Sequence, residues 1–460
     1  MHAAVAAPGS TMSQSSMITD RSPIEFADPL PNAVDVVVIG AGIAGTACAY
    51  FLAQHGVSVL LCEKGRVAGE QSSRNWGWVR QQGRDWAELP IMMEANRIWR
   101  GLAGQTGDAD LAFTQTGCLY LIETQAQQAK YEGWYDLALR HQLGTRLLSK
   151  AELEAQHPGI AGNWLGAMVT PSDGCAEPSV AVPALARAAR RAGVRIVESC
   201  AVRTLDVEGG RVVGVTTEKG RVRAAQVLLA GGAWSTHFLA NAGLDLPQLS
   251  VRSTVTRTTP GPASYAGNIA APGLAIRRRK DGGYTVATGD LAEHYLSAGS
   301  FRYLPRFANL LRSSGKHVRI RLGAPRHFPG AWGAPRRWTG DETSPFERMR
   351  VLDPVPSPIV VRRVEERLAK RFPALSGVKV AQAWAGMIDV TPDAVPVLGE
   401  DHRLPGLYLA TGLSGHGFGI GPAIGRIMAD ILRGRSPGHD LHRFRSGRFF
   451  DGSPMVPGPY

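Results

Sequence analysis

The chain has 460 residues, which is long enough for more than one hydrophobic core, and its 44% hydrophobic content is typical of a globular enzyme. No apolar run approaches the roughly 18 residues that a membrane-spanning helix needs, so the composition argues against an integral membrane protein. The formal net charge is +12, and segment 301–350 holds eleven Arg and Lys against three Asp and Glu.

Residues 1–33 come first and lack both a charged n-region and an apolar h-region. Their Ser, Pro and Ala content predicts a disordered leader, and a cytoplasmic location is the default. The chain also carries five scattered cysteines without CxxC spacing, which predict reduced core thiols rather than disulfides or a zinc site. These are Cys48, Cys62, Cys118, Cys175 and Cys200.

A strand, a glycine-rich turn, a helix, a second strand and an acid then follow in order. The β-branched run Val34–Ile39 predicts a buried parallel strand, and the helix is expected over Thr46–Gln54. Three glycines between them suit the tight turn, the approach of a pyrophosphate and close helix packing; they are Gly40, Gly42 and Gly45. The helix N-terminus would direct N–H groups at the diphosphate. Glu63, after the second strand Val57–Leu61, suits a ribose hydroxyl and would repel an NADP phosphate, which leaves FAD or NAD.

Two excursions interrupt this nucleotide-binding part. Its predicted pieces are 34–105, 175–245 and 378–445; the inserted substrate domain takes 106–174 and 246–377, and 446–460 forms a C-terminal tail. Small polar residues and two tryptophans between Gly69 and Gly83 predict an irregular loop that lines a flat cofactor. A second buried strand, Gln226–Ala230, also ends in glycines, so both strand ends are expected to approach the same cofactor.

The second excursion contains a strand over Leu249–Thr258 and a hairpin around Asp281–Gly283. The basic segment 301–350 follows, and one helical face is predicted from Phe301, Leu304, Phe307 and Leu311. Its charge would suit an anionic lipid leaflet or an acidic protein, or would form a solvated surface; without a nucleic-acid-binding motif, nucleic acid ranks last. The final return contains a strand over Leu407–Ala410, a glycine-rich turn, and a helix expected to start near Gly421.

With these blocks laid out, the chain resembles the flavin-dependent D-amino-acid oxidase and dehydrogenase superfamily, which includes glycine and sarcosine oxidases. The resemblance runs from Val34 to about Phe444. It rests on four blocks in family order: the early fingerprint, Ser72–Gly77, Ala230–Ser235, and Thr391–Asp393 with Ser414–Gly417. It implies FAD rather than NAD, and an α/β fold in which a discontinuous Rossmann-like FAD-binding domain accompanies an α+β substrate domain with a mixed or antiparallel sheet.

The resemblance also implies the cofactor contacts. The pyrophosphate would lie at the early glycines, the AMP ribose at Glu63, and adenine at the backbone of Val202. Further contacts are implied for Lys64, Ser72, Ser73, Arg74, Asn75, Gly231 and Trp234. The pyrimidine end of the flavin would lie at Gly412, Ser414, Gly415, His416, Gly417 and Phe418. Sarcosine oxidases use a Cys near the position of Trp384, and dimethylglycine-type enzymes use a His around Asn75. Neither residue is present here, so we expect non-covalent FAD.

The chain departs from the family pattern at the position of the arginine that would bind the substrate carboxylate. Related oxidases place an arginine just after the Trp-Ala-Gly motif, where this chain has Met387, Ile388 and Asp389. A buried carboxylate needs another cation. The candidates are Arg80 first, because sarcosine-oxidase-like members use an arginine from the comparable loop, and then Arg257 and Arg278. Trp384 could wall the pocket, Asp389 is either a solvated turn residue or a partner for a substrate ammonium, and His416 is a weaker candidate for a catalytic base.

The resemblance implies oxidation of the CH–NH bond of a D-amino acid or related amine to an imine, by hydride transfer to flavin N5. Water then gives a keto acid or aldehyde and ammonia or an amine. N-alkyl amino acids and polyamine-derived amines are alternatives, as is a flavoprotein subunit of a hetero-oligomeric amine dehydrogenase. Oxygen or a quinone would accept the electrons, and a quinone would make segment 301–350 a peripheral membrane contact. No metal site is predicted.

Overall fold

The fold comes from a computed structural model, which describes residues 17–160 and 162–458. Its strands are β1 (Val36–Ile39), β2 (Val59–Cys62), β3 (Trp78–Val79), β4 (Thr114–Gln115), β5 (Cys118–Ile122), β6 (Arg146–Ser149), β7 (Gly166–Thr170), β8 (Gly174–Cys175), β9 (Arg195–Val197), β10 (Val202–Glu208), β11 (Arg211–Thr217), β12 (Gly220–Arg223), β13 (Gln226–Leu229), β14 (Leu249–Thr258), β15 (Asn268–Ala271), β16 (Leu274–Arg278), β17 (Tyr284–Ala287), β18 (Ala292–Tyr295), β19 (Val318–Arg321), β20 (Val380–Val390), β21 (Val397–Glu400) and β22 (Leu407–Thr411).

The α-helices lie between these strands. They are α1 (Ile43–Ala53), α2 (Gln71–Arg74), α3 (Glu88–Thr106), α4 (Gln125–Arg140), α5 (Lys150–Gln156), α6 (Pro178–Arg191), α7 (Ser235–Asn241), α8 (Ala298–Arg302), α9 (Leu304–Ser314), α10 (Pro345–Arg348), α11 (Pro358–Arg371) and α12 (Gly417–Leu432). Within the described residues, no helix is long and apolar enough to cross a membrane.

The smaller main sheet carries the nucleotide-binding fingerprint. Its strand order is β21-β22-β13-β1-β2-β9, and every pair except β21 with β22 is parallel. Because helices cover its strands, Val36, Val37 and Val38 of β1 are almost fully buried. This arrangement confirms the predicted Rossmann-like part of the fold.

The larger sheet is mixed, as predicted for the substrate domain. It runs β19-β18-β14-β17-β16-β15-β5-β7-β6, and β20 pairs with β14 along nearly its whole length. The return to the nucleotide-binding part was predicted at residue 378, but β20 belongs to the larger sheet, and the smaller sheet resumes only at Val397. The antiparallel partner of β20 is β14, about 130 residues earlier in the sequence, and no local sequence pattern reveals this pairing.

The predicted disordered leader is wrong for residues 17–33. Phe26 is 1% exposed, and the Glu198 carboxylate accepts hydrogen bonds from the N–H groups of Glu25 and Phe26. The Asp28 N–H donates to the carbonyl of Ile196 on β9, so this segment is held against the smaller sheet. Residues 1–16 of the predicted leader lie outside the described residues.

Two further local predictions are wrong. Residues Gln71–Arg74 form α2 where an irregular loop was expected, and α12 begins at Gly417 rather than near Gly421. The tail after residue 445 is also partly packed, because Arg448 is buried and its guanidinium binds the Asp393 carboxylate at 2.9 Å and 3.0 Å. All five cysteines are free and buried, as predicted.

Candidate active site

The early glycine turn has the geometry that its sequence predicts. Gly40 has φ +100°, and a Cβ there would lie 2.5 Å from the Ala230 carbonyl oxygen, so only glycine fits where the chain leaves β1 beside the end of β13. A Cβ on Gly42 would lie 3.1 Å from Ser72 Oγ, and one on Gly45 would collide with the Gly40 carbonyl. The turn therefore presents bare backbone at the N-terminus of α1.

Glu63 closes this turn from the end of β2. Its carboxylate accepts hydrogen bonds from the N–H of Ala41 at 2.9 Å and the N–H of Gly65 at 2.8 Å. Burial raises the pKa of Glu63 to about 7, although Lys64 and both backbone donors act in the opposite direction. A ribose hydroxyl that donates to this carboxylate would favour its ionised form.

A cavity runs from this turn to the late glycine turn. Of the residues predicted to bind the cofactor, it is lined by Gly40, Gly42, Glu63, Lys64, Ser72, Val202, Gly231 and Trp234. Thr411 and Leu413 of the late turn and Asp389 line the same cavity. The bare glycine backbone, the N-terminus of α1 and the carboxyl acceptor fit a dinucleotide, because they match its pyrophosphate and ribose in order.

Glu70 is a cavity residue that the sequence did not reveal. Its carboxylate accepts hydrogen bonds from Lys64 Nζ at 2.6 Å and Trp234 Nε1 at 3.1 Å, and the Lys64 ammonium lies 4.6 Å from the Trp234 ring centroid. Glu70 thus holds Lys64 and Trp234, which lie far apart in the sequence, next to each other. Other lining residues without a sequence signal are Cys62, Gln71, Cys200, Phe238 and Phe346.

The late turn is anchored to β20 through Asp389. The Leu413 N–H donates to the Asp389 carboxylate at 3.1 Å, and the Ser414 N–H donates to its carbonyl at 2.8 Å. Burial raises the pKa of Asp389 to about 6. The residue is 5% exposed, so it is not the solvated turn residue considered above. Gly412, Ser414 and Gly415 all have positive φ, which makes this turn as sharp as the first.

The glycines that follow this turn serve helix packing. Because α12 begins at Gly417, Phe418 lies inside the helix and packs against Trp99, with ring centroids 5.1 Å apart. A Cβ on Gly421 would lie 2.5 Å from Ile43 Cγ1, and Gly425 is equally close to α1. Gly417 and Phe418, predicted to lie against the flavin, therefore belong to the helix, and contact with the flavin stays a prediction for residues 412–415.

The segment after the early fingerprint divides into cavity and non-cavity residues. Ser72 Oγ accepts the Ile43 N–H at 2.9 Å and lines the cavity. Ser73 is buried and donates to the Glu70 carbonyl, while Asn75 donates to carbonyls of its own turn. Arg74 is also buried; its guanidinium binds Asp353 at 2.5 Å and the carbonyls of Ile18, Gly69 and Ala385. Arg74 is therefore held by protein groups and does not line the cavity, and its implied cofactor contact stays a prediction.

His416 lies beneath the late turn in a buried charge cluster. Its Nδ1 lies 3.2 Å from Glu88 Oε1, and Arg84 Nη1 lies 3.6 Å from Glu88 Oε2. Burial lowers the pKa of His416, so the neutral ring donates Nδ1–H to the Glu88 carboxylate near pH 7. This environment suits a positioning role better than the base considered from the sequence.

One face of the larger sheet is turned toward the loop that follows α2. Cross-strand partners share a face, and Val255 pairs with both Trp384 and Ala287. These three residues form a buried cluster against which Trp76 and Met17 pack. Trp384 Nε1 also donates to the Arg74 carbonyl at 2.9 Å. Trp384 thus lies where the two sheets meet.

Arg257 lies on the same face, two residues along β14 from Val255. Its Nε is buried and has no hydrogen-bond partner among the described residues. Arg277, another arginine of this face, is already paired, with Nη1 2.7 Å from Glu177 Oε1. Against the upward effect of burial, this pairing holds the pKa of Glu177 at about 2.

The remaining two arginine candidates are placed differently. Arg278 pairs with Tyr284 on the opposite face of the sheet and donates to the carbonyls of Gly261 and Pro262. Its guanidinium therefore lies away from Arg257 and Trp384, and its contact with substrate stays a prediction. Arg80 donates to the Gln82 carbonyl, and its guanidinium lies 5.9 Å from the Tyr120 ring centroid.

Comparison with known proteins agrees with this geometry. Residues 35–431 match the family described as "DAO: FAD dependent oxidoreductase", which is most of the chain. The chain belongs to this family. FAD is therefore the cofactor, and the enzyme class predicted from the sequence is confirmed.

Individual relatives of this FAD-dependent oxidoreductase differ in substrate. The chain is 25% identical to the sarcosine oxidase subunit beta of Rhodobacter capsulatus, over 93% of each protein. It is 24% identical to a D-amino acid dehydrogenase of Rhodopseudomonas palustris, over 90% of this chain and 98% of the relative. Among solved structures, L-amino acid deaminase from Proteus myxofaciens, in complex with anthranilate, has 31% identity and a TM-score of 0.88, covering 94% of this chain and 97% of that one.

Proposed function

We propose that this enzyme oxidises the CH–NH bond of a free α-amino acid to an imine, which water hydrolyses to a keto acid and ammonia. The observation that carries the proposal is Arg257, whose buried Nε has no partner among the described residues and which shares a sheet face with Trp384. A guanidinium in such a place gains most from a carboxylate that it can hold through two hydrogen bonds.

The residues of the chain orient the substrate and exclude water. Arg257 would bind the carboxylate, and the buried cluster of Val255, Ala287 and Trp384 would cover the apolar part of the substrate. FAD, when bound, accepts two electrons and hydrogen from the substrate, and water completes the reaction in a step that needs no further redox partner. Glu63 and the N-terminus of α1 would hold the far end of the cofactor.

The 31% identity with an L-amino acid deaminase favours L-amino acids as the first substrates to test. The D-amino acid that the sequence analysis put first is the main alternative. We expect the visible absorbance of the flavin to disappear when the purified, FAD-loaded chain meets the right substrate without oxygen. The panel would contain both enantiomers of the common amino acids, N-methyl amino acids and polyamines. Flavin that stays oxidised with every free amino acid would contradict the proposal.

A second candidate is a flavoprotein subunit of a hetero-oligomeric sarcosine oxidase. It is supported by the match to the Rhodobacter subunit over 93% of both proteins. This candidate predicts bleaching by N-methylglycine but not by free amino acids, and co-purification with a second chain. The same anaerobic panel therefore distinguishes the two.

Replacement of one arginine tests the carboxylate contact. Arg257→Met should raise the KM for the amino acid by about 10- to 100-fold, because a hydrogen-bonded charge pair is worth about 1.5–3 kcal/mol. Steady-state kinetics measure this change. Arg278→Met is the matched control, since its guanidinium lies on the opposite face and its loss should leave KM unchanged. Equal effects of both substitutions, or no effect of the first, would exclude Arg257 as the carboxylate-binding residue.

A further inference from the structure

Exposed apolar side chains concentrate at one edge of the larger sheet. Among the described residues, fourteen large apolar side chains are exposed, and six of them lie between residues 301 and 332. We call these six the edge patch; they are Phe301, Leu304, Leu311, Ile320, Leu322 and Trp332. The sequence predicted a helical face from Phe301, Leu304, Phe307 and Leu311, but only Phe307 is buried. The other three cover no core of this chain.

Several side chains of the edge patch lie close to one another. The rings of Phe301 and Trp332 lie 6.5 Å apart between centroids, and Trp332 Nε1 donates to the Leu322 carbonyl at 3.4 Å. Leu304 follows Phe301 by three residues, at the start of the next helix. Leu322 is 89% exposed, directly after β19, the edge strand that pairs only with β18. Exposed apolar groups joined in this way mark an interaction surface more often than isolated ones do.

The surroundings of the edge patch carry charge of one sign. Residues 298–332 contain seven Arg and Lys and no Asp or Glu. Two of the seven bind acids from other segments, Arg302 with Asp245 and Arg321 with Glu293. Four others are exposed, namely Arg312, Lys316, Arg319 and Arg326. The edge patch is therefore an apolar surface with basic side chains around it.

We propose that the edge patch docks on an anionic membrane surface. Leucine, phenylalanine and tryptophan side chains that enter the headgroup region, together with basic residues beside them, are what peripheral membrane binding requires. A second copy of the chain would bring one basic surface against another, and a nucleic acid would leave the leucines exposed to water. The proposal does not depend on which amine the enzyme oxidises.

Vesicle binding tests the proposal with the full-length, FAD-loaded protein. We expect co-sedimentation with vesicles that contain phosphatidylglycerol, and at least tenfold weaker partitioning onto pure phosphatidylcholine. Raising the salt concentration should weaken binding, because the Debye length shortens from about 10 Å at 0.1 M to about 3 Å at 1 M. Failure to sediment with anionic vesicles at low salt would overturn the proposal.

Substitutions test whether the edge patch is the surface that binds the vesicles. The double change Phe301→Ser and Leu322→Ser should reduce partitioning at least about tenfold, since each buried side chain of this size contributes strongly. Arg312→Glu with Arg319→Glu should give a comparable loss. Val355→Ser and Arg221→Glu are controls, because both residues are exposed outside the edge patch.

Two outcomes would contradict the assignment of this surface. One is equal loss of binding in the control variants, which would show that the docking surface lies elsewhere. The other is a concentration-dependent dimer in sedimentation velocity that the Phe301 and Leu322 changes abolish, since a second copy would then cover the edge patch. Substrate bleaching of the flavin serves as the folding control and should be the same in all variants.

Discussion

Glu63 holds its carboxyl group between two backbone N–H groups at the end of the cofactor cavity. Its pKa is about 7 in the folded protein against an ordinary value of 4.5, so the folded state binds this proton more tightly than the unfolded chain. The resulting stability is fully present below pH about 4.5 and is lost as the pH rises to about 7. Ribose hydroxyls that donate to the carboxylate would reverse this preference, so we expect FAD binding and deprotonation of Glu63 to be coupled.

Glu63→Gln should separate these effects. In the FAD-free protein, urea unfolding should show that the free energy of unfolding of the wild type falls relative to that of the variant between pH 5 and pH 7.5. The FAD affinity of the wild type should rise over the same range, while that of the variant should stay flat and about tenfold or more weaker at pH 7.5. Parallel pH profiles of the two proteins would show that another carboxyl, such as Asp389, controls the titration.

The α1–α12 contact shows how one element positions the cofactor site. A Cβ on Gly425 would lie 2.6 Å from the backbone of Ala47 and Cys48, so the two helices touch through bare backbone. Gly425→Ala should destabilise the protein by about 1–3 kcal/mol and weaken FAD binding, because overpacking would displace the N-terminus of α1. Gly133→Ala on α4 is the control; it meets open space and should stabilise the helix by about 1 kcal/mol. Thermal unfolding and FAD titration would measure both, and a stabilising Gly425→Ala would refute the contact.

The elements predicted best were those whose signal is local. The fingerprint strand and helix were placed within three residues of β1 and α1, and the limits of β14 were predicted as they stand. The start of α12 was missed because Gly417, Gly419 and Gly421 look like a flexible turn in sequence, whereas their small size serves helix packing. The sequence named Arg257 as a candidate but could not rank it above Arg80 and Arg278. Only the register of β14 against β17 and β20 shows which face of the sheet Arg257 occupies.

The whole molecule is organised around the junction of its two main sheets. Asp389 on the larger sheet binds the turn that follows β22 of the smaller one, and Trp384 donates a hydrogen bond to the carbonyl of Arg74, the last residue of α2. Residues 17–26 cross the same region. The carbonyls of Asp20 and Ser22 accept hydrogen bonds from Arg66, which lines the cofactor cavity, and the carbonyl of Ile18 accepts one from Arg74. Met17 packs against the Val255 and Trp384 cluster.

Truncation tests whether this segment completes the site. Removal of residues 1–24 takes away the acceptors for Arg66 and Arg74 and the Met17 contact, but leaves Phe26 and its anchor on Glu198. We expect the fold to persist while FAD dissociates several-fold faster and the KM of the substrate rises, because the guanidinium groups of Arg66 and Arg74 lose partners that water must replace. A second truncation, of residues 1–16 only, isolates the contribution of residues 17–24. Flavin release after dilution and steady-state kinetics report the two effects separately. If both truncations match the full chain, residues 17–24 lie over the site without contributing to it.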